Sequence, residues 1–146
     1  MSDVIEQMIA NRRLERVTAN PEHALSVIEM AERHLRTAVI LTTTDDQAMA
    51  FTAAYDGSRK ALSAVLAVEG LRVRPVGGAH RNAGVAAAEF IDDGSLEEFD
   101  WMRQVRNATE YPDVDRPAAT KLDVDEAISA ASALVEACAR YVRNAG

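Results

Sequence analysis

Apolar side chains recur every three or four residues through the last quarter of the chain, the spacing of one face of an α-helix. The stripe consists of Val124, Ile128, Ala131, Val135, Cys138 and Val142. An earlier segment, beginning at Ala24, repeats this spacing, whereas the alternation typical of β-strands does not occur in the sequence. The pattern predicts an all-α protein, a four- to five-helix up-down bundle with short connections.

Residues that start and stop helices divide the chain into segments. Asn20 followed by Pro21 predicts a helix start, because asparagine caps free amides and proline fits the first helical position. Ser95 and Glu98 match a capping box. Gly57 lies inside a helix, where glycine destabilises unless another backbone approaches closely. The expected helices run from Asp3 to about Arg13, from Pro21 to near Thr42, from Ala48 to Gly70, from Ala79 to Ile91, from Ser95 to Tyr111, and over 124–142, with 72–78 as the clear loop.

Length and composition fit one helical domain. A chain of 146 residues is long enough to bury a full core, and we expect residues 20–143 to form the bundle and 1–19 an N-terminal helix or extension. Apolar residues make up 48% of the chain but aromatic residues only 5%. Many of the apolar residues are therefore alanines, whose small side chain lets helices pack closely.

The charge of the chain argues against general nucleic-acid binding, and its cysteine content indicates a reducing compartment. The formal net charge of −7 argues against general nucleic-acid binding, which depends on many lysines and arginines. A local basic site remains open, built from Arg72, Arg74, Arg81, Arg103 and Arg106. The single cysteine excludes an internal disulfide and fits a reducing compartment. With no signal-peptide pattern and no apolar run long enough to span a membrane, we expect a cytoplasmic protein without membrane contact.

The segment 101–112 carries the densest group of functional side chains. Arg103, Arg106, Asn107 and Glu110 fall on one helix face at helical spacing, and Tyr111 follows. One interpretation is contact with phosphate or RNA, because the guanidinium fork matches phosphate oxygens. The other is an ordinary ion pair between Arg106 and Glu110, with Arg103 in water. Spacing alone favours the ion pair.

Histidines provide the remaining candidates. His80 follows Gly77-Gly78 at a helix start, beside Arg81, where exposed amides favour an anion. Its imidazole can also shuttle protons near neutral pH, or have no role. His23 and His34 lie too far apart on one helix to share a metal ion, so we expect neither a metal site nor a cofactor.

The helix that contains this segment has two apolar sides. One side consists of Leu96, Phe99 and Met102. The other side consists of Trp101, Val105 and Ala108. One side is expected to meet the core and the other a partner subunit, with complete burial as the alternative.

Two stretches resemble the HEPN domain family. The first stretch is residues 55–62 and continues at residues 69–73, and the second is residues 106–112. The similarity as a whole spans roughly residues 20–143. The resemblance implies a four- or five-helix bundle that forms a homodimer, with the motif helices of both subunits lining a shared cleft. Many members are metal-independent ribonucleases, often toxins of toxin–antitoxin or defence modules.

The same resemblance assigns residue roles. Arg106 corresponds to the catalytic arginine and Asn107 to the polar residue after it, but Tyr111 stands where the family has a histidine. Tyrosine titrates near ~10 and is a poor general base at neutral pH. His80 is the candidate substitute, provided that its helix start faces Arg106.

Three functional hypotheses follow. The first is binding of RNA or a nucleotide at an arginine-lined dimer cleft that includes Arg103, Glu110, Arg74 and Arg81, with metal-independent RNA cleavage as a further step. The second is a non-catalytic dimer that binds a protein partner, such as a cognate antitoxin or a nucleotidyltransferase acting on Tyr111. The third is a bundle that holds a small anionic ligand between its helices.

Overall fold

The computed structural model describes residues 2–110 and 119–145, and these residues form a helical bundle. The six α-helices are α1 Asp3–Ala10, α2 Pro21–Leu41, α3 Gln47–Val68, α4 Ala79–Ala87, α5 Glu98–Glu110 and α6 Lys121–Ala145. A short 3-10 helix, Gly94–Glu97, precedes α5, and two strands, β1 Leu14–Arg16 and β2 Leu71–Val73, complete the fold. The all-α prediction is confirmed.

Helix α3 lies at the centre of the bundle, against α2 and α6. The predicted stripe of α6 faces this core, with Val135 and Cys138 buried there. At Gly57 of α3, an added Cβ would lie 3.0 Å from the backbone oxygen of Ala31 on α2. The close backbone approach expected for this glycine is therefore present, and it lets α2 and α3 pack closely.

The predicted start of α2 is confirmed, and the predicted capping box before α5 is wrong. Asn20 Oδ1 accepts a hydrogen bond from the His23 amide at 3.0 Å, and α2 begins at Pro21. Before α5, Asp93 rather than Ser95 is the cap, because its Oδ1 accepts from the Ser95 amide at 2.9 Å. Ser95 Oγ is buried and finds no hydrogen-bond partner within residues 2–110 and 119–145. The segment after Asp93 consequently begins as a 3-10 turn.

The expectation of a chain without strands is wrong at one place. β1 and β2 pair antiparallel, with Leu14 opposite Val73. Each strand has only three residues, too few to show a period of two in the sequence. The predicted loop 72–78 thus begins inside β2. A second apolar cluster under the hairpin contains Ile5, Met8, Leu14, Leu66, Leu71 and Ala86.

Two helices are shorter than expected. α1 ends at Ala10 and not near Arg13, because Arg12 has a left-handed φ of 60° that no α-helix continues. α4 ends at Ala87 and not at Ile91. The amides of Glu89 and Phe90 donate to backbone oxygens three residues earlier, which is the 3-10 pattern and not the α-helical one. Across the described ranges, no helix is both long and apolar enough to cross a membrane.

Candidate functional site

Helices α4 and α5 both pack on α3, and they approach each other closely beside it. At Gly84 of α4, an added Cβ would lie 3.0 Å from the Phe99 ring on α5. Glycine at this position therefore permits the close packing of the two helices. This packing brings the start of α4 beside the middle of α5.

An open groove lies between the start of α4 and the exposed side of α5. We call it the α4–α5 groove, and its volume is about 260 Å³. It is lined by Gly78, Ala79, His80, Arg81, Arg103 and Asn107. The structure thus brings together four residues that the sequence nominated from two separate segments. His80, Arg81 and Asn107 are exposed, whereas Arg103 is half-buried.

Tyr55 of α3 is buried behind this groove, next to His80. The tyrosine is 0% exposed, and its hydroxyl lies 2.9 Å from His80 Nδ1. Its ring stacks on Phe99, with centroids 5.3 Å apart and planes 10° apart. Burial raises the pKa of Tyr55 to about 12, against the opposing effect of nearby Arg106. Tyr55 therefore stays protonated and connects α3 to the start of α4.

Arg106 lies against the Tyr55 ring, with its Cζ 5.7 Å from the ring centroid. Its Nη1 lies 2.7 Å from Glu110 Oε2, so the ion pair favoured by the spacing is confirmed. The Arg106 side chain is 24% exposed and that of Glu110 is 45% exposed. Arg106 Nε is buried and has no hydrogen-bond partner in the part of the chain that the structure describes. Glu110 therefore pairs with Nη1 of this guanidinium and leaves Nε without a partner among the described residues.

Arg103 is paired as well, and the expectation that it lies in water is wrong. Its Nε and Nη2 both donate to Asp100 Oδ1, at 3.1 and 3.0 Å. The hydrogen bond from Arg103 lowers the pKa of Asp100. Asp100 lies three residues earlier on the same helix, a spacing that the sequence prediction did not consider.

His80 is neutral near pH 7. Burial of its ring against Tyr55 lowers its pKa from the ordinary value of 6.5, and the charges of Arg59 and Arg106 lower it further. Asp56 opposes this shift. The imidazole therefore joins the groove as an uncharged polar group among arginines.

Three residues of this site were missed by the sequence prediction. Tyr55, Asp56 and Arg59 lie within two turns of α3, and Arg59 Nε lies 3.7 Å from Asp56 Oδ1. The charge of Arg59 affects both Tyr55 and His80. The available signal was the family resemblance of the stretch 55–62, which contains all three residues.

Other nominated residues lie elsewhere. Arg74 follows β2, where its amide donates to the Arg13 oxygen, and it is not among the residues that line the groove. Tyr111 lies outside the described residues. Within the described ranges, no group of three or more His, Cys, Asp or Glu side chains is placed to hold a metal ion. Cys138 is buried, which raises the pKa of its thiol to about 12, as expected for a packed thiol.

Comparison with protein families gives a match over most of the chain. A family model, the HEPN domain, matches residues 24–141, which include the core helices and the α4–α5 groove. No curated protein and no solved structure matches the chain. The match covers most of the sequence and agrees with the helical bundle described above. On this basis, the chain belongs to the HEPN domain family.

Proposed function

We propose that the protein binds RNA through its phosphates in the α4–α5 groove. The observation that supports this proposal is the convergence of Arg59, Arg103 and Arg106 around the Tyr55–His80 pair. Arg103 lines the groove itself, whereas Arg59 and Arg106 lie near Tyr55 and are not among the residues that line it. Together their guanidinium groups favour an anion locally on a chain of net charge −7.

The ion pairs of this site are arranged so that a phosphate can compete for the arginines. Asp100 and Glu110 are exposed residues at the solvent side of α5. Each pair joins a half-buried arginine to a solvent-exposed carboxylate, and ion pairs that reach solvent contribute only about 1 kcal/mol. A phosphate offers several charged oxygens to the guanidinium fork and forms stronger, charge-assisted hydrogen bonds. We assign Arg103 and Arg106 to phosphate contact, Arg81 to the groove edge, and Asn107 to orientation of the bound strand.

The salt dependence of RNA binding tests this function. A labelled single-stranded RNA, titrated with the protein in a metal chelator, is expected to bind more weakly as salt rises. If about three phosphates are neutralised, the logarithm of the association constant falls with a slope of about −2 against the logarithm of the salt concentration. Fluorescence anisotropy measures the slope. Affinity that does not change with salt would contradict phosphate contact.

The same mixtures, resolved on a denaturing gel, show whether RNA is cleaved. Products formed in chelator would add a metal-independent endoribonuclease activity, the activity of a toxin or defence ribonuclease, to the proposed binding. Intact RNA would restrict the function to binding.

We also propose that the functional unit is a homodimer. Phe99 and Met102 of α5 are buried in the core, whereas Trp101, Val105 and Ala108 remain half-buried. These three residues, with Arg103 and Asn107, line a shallow open groove of about 620 Å³ on the outer side of α5. A second copy packed here would cover the apolar residues and place two α4–α5 grooves near each other.

A charged substitution on this face tests the dimer. Val105→Asp is expected to shift the protein from dimer to monomer, because an unpaired carboxylate would be buried in the interface. Native mass spectrometry of both proteins at equal concentration gives the result. Val39→Asp, at an exposed position of α2, provides the control, because it introduces the same change away from α5. A wild-type protein that is monomeric, or a Val105→Asp protein that stays dimeric, would contradict this interface.

A second candidate function is a non-catalytic module that binds a protein partner. The observation that favours it is that Arg103 and Arg106 already have carboxylate partners on their own helix. The partner would be a cognate antitoxin or a nucleotidyltransferase, with Tyr111 as the residue to be modified. This function predicts no salt-dependent RNA binding, together with a mass increase on Tyr111 after incubation with the nucleotidyltransferase and its nucleotide.

A further inference from the structure

The hydrogen bond between Tyr55 and His80 determines which nitrogen of the imidazole carries the proton. The Tyr55 hydroxyl and His80 Nδ1 lie 2.9 Å apart. A neutral imidazole has one nitrogen that donates and one that accepts. Either partner is able to donate in this bond, and the surroundings of the hydroxyl decide between them.

Among the residues that the structure describes, the Tyr55 hydroxyl has one hydrogen-bond partner. The tyrosine is 0% exposed, so its hydroxyl cannot turn to solvent. Within residues 2–110 and 119–145, His80 Nδ1 is the only partner of this hydroxyl. If Nδ1 carried the proton, the hydroxyl hydrogen would be buried without an acceptor, which is unfavourable because the hydroxyl would lose its bond to water and gain none in the protein. The hydroxyl therefore donates to Nδ1, and the proton of the neutral ring lies on Nε2.

We infer that Tyr55 is a positioning residue that holds His80 in its Nε2–H tautomer, so that His80 meets the α4–α5 groove as a neutral hydrogen-bond donor. The inference that this donor serves an RNA phosphate oxygen rests on the proposed function. In this state, Nδ1 is occupied and Nε2 already holds a proton. His80 then cannot accept the proton of a ribose hydroxyl, and it does not substitute for the family histidine as a general base.

Charges around the imidazole from each neighbouring helix favour its neutral form. Arg59 of α3 and both Arg103 and Arg106 of α5 oppose a proton on the ring, whereas Asp56 of α3 favours one. Arg81, beside His80 on α4, adds another positive charge to the groove. Asp100 and Glu110 pair with Arg103 and Arg106, so burial of the ring is the main reason that it stays neutral, and the arginines add to this effect.

Nitrogen NMR of the wild-type protein tests the tautomer directly. In ¹⁵N-labelled protein at pH 7.5, the His80 Nε2 shift is expected in the range of a protonated ring nitrogen. The Nδ1 shift is expected in the range of an unprotonated nitrogen that accepts a hydrogen bond. The opposite assignment, or an even mixture of the two tautomers, would overturn the inference. No variant and no RNA are needed for this measurement.

The variant Tyr55→Phe removes the hydroxyl and keeps a ring of the same shape against Phe99 and Arg106. We expect the His80 shifts to move toward a mixture of tautomers, and the pKa of His80 to rise, because the lost bond favours the neutral form. Tyr141→Phe is the matched control, since the Tyr141 hydroxyl donates to Glu69 and not to His80. Unchanged His80 shifts in a folded Tyr55→Phe protein would also overturn the inference.

Two substitutions of His80 test the donor in RNA binding. Glutamine extends its amide nitrogen to about the position of Nε2, whereas asparagine reaches only to about that of Nδ1. We expect His80→Gln to bind RNA within about threefold of wild type and His80→Asn to bind about tenfold more weakly. Equal losses in both variants would remove the donor role. If wild-type protein binds no RNA, the proposed function fails, while the tautomer is still decided by NMR.

Discussion

Arg106→Ala is expected to weaken the binding of single-stranded RNA by at least tenfold. A charged hydrogen bond contributes about 1.5–3 kcal/mol, and 1.4 kcal/mol corresponds to a factor of ten. Arg106 also lies over the Tyr55 ring and affects the charge balance at His80. Its loss would remove the proposed phosphate contact and the cation that packs on the Tyr55 ring.

A second arginine in an equivalent ion pair is available as the control for this experiment. Arg140 of α6 pairs with Glu136 four residues away, with Nη1 3.0 Å from Oε1. Arg140→Ala removes the same charge from the protein and breaks a similar pair, yet Arg140 lies on α6, whereas Arg106 packs on the Tyr55 ring beside the α4–α5 groove. We expect its RNA affinity to stay within about twofold of wild type. Equal losses in both variants would indicate a general charge effect and contradict a site at Arg106.

Gly70→Ala is expected to lower the free energy of unfolding by about 2–5 kcal/mol. Gly70 has a φ of +69°, which costs a residue with a Cβ about 1–2 kcal/mol. The added Cβ would also lie 2.8 Å from the backbone oxygen of Val17. This oxygen belongs to the segment after β1, so relief of the clash would disturb the hairpin, at a further cost of about 1–3 kcal/mol.

Gly77→Ala is the matched control for stability. Nothing lies within 4 Å of a Cβ at Gly77, and its φ is not in the left-handed region. Urea denaturation is expected to give Gly77→Ala a free energy of unfolding within about 0.5 kcal/mol of the wild-type value. If Gly70→Ala were as stable as Gly77→Ala, the backbone at residue 70 would not restrict the hairpin as described.

The sequence was sufficient to predict the main helices, because their signals are local. The Asn20-Pro21 start of α2 and the apolar stripe that includes Val135 each depend on neighbours within a few turns. The hairpin was missed because Leu14 and Val73 are paired across most of the N-terminal half of the chain. Three-residue strands carry no periodic signal, so only the folded structure reveals their pairing.

The candidate site was predictable in its residue types and less so in its contacts. The Arg106–Glu110 pair follows from helical spacing, and its geometry agrees. Tyr55, however, belongs to an apolar stripe in the sequence, and nothing local indicates that its hydroxyl meets His80, 25 residues later. The roles of Tyr55 and Arg59 depend on how α3 packs under α4 and α5, which is a tertiary property.

Trp101 gives this protein a built-in optical probe. It is the single tryptophan of the chain, and its ring meets Phe51 edge-on with centroids 5.9 Å apart. The same side chain lines the open outer face of α5 next to Arg103. Indole emission changes with the polarity around the ring, so unlabelled protein carries a spectroscopic reporter for whatever covers this face, without a background from a second indole.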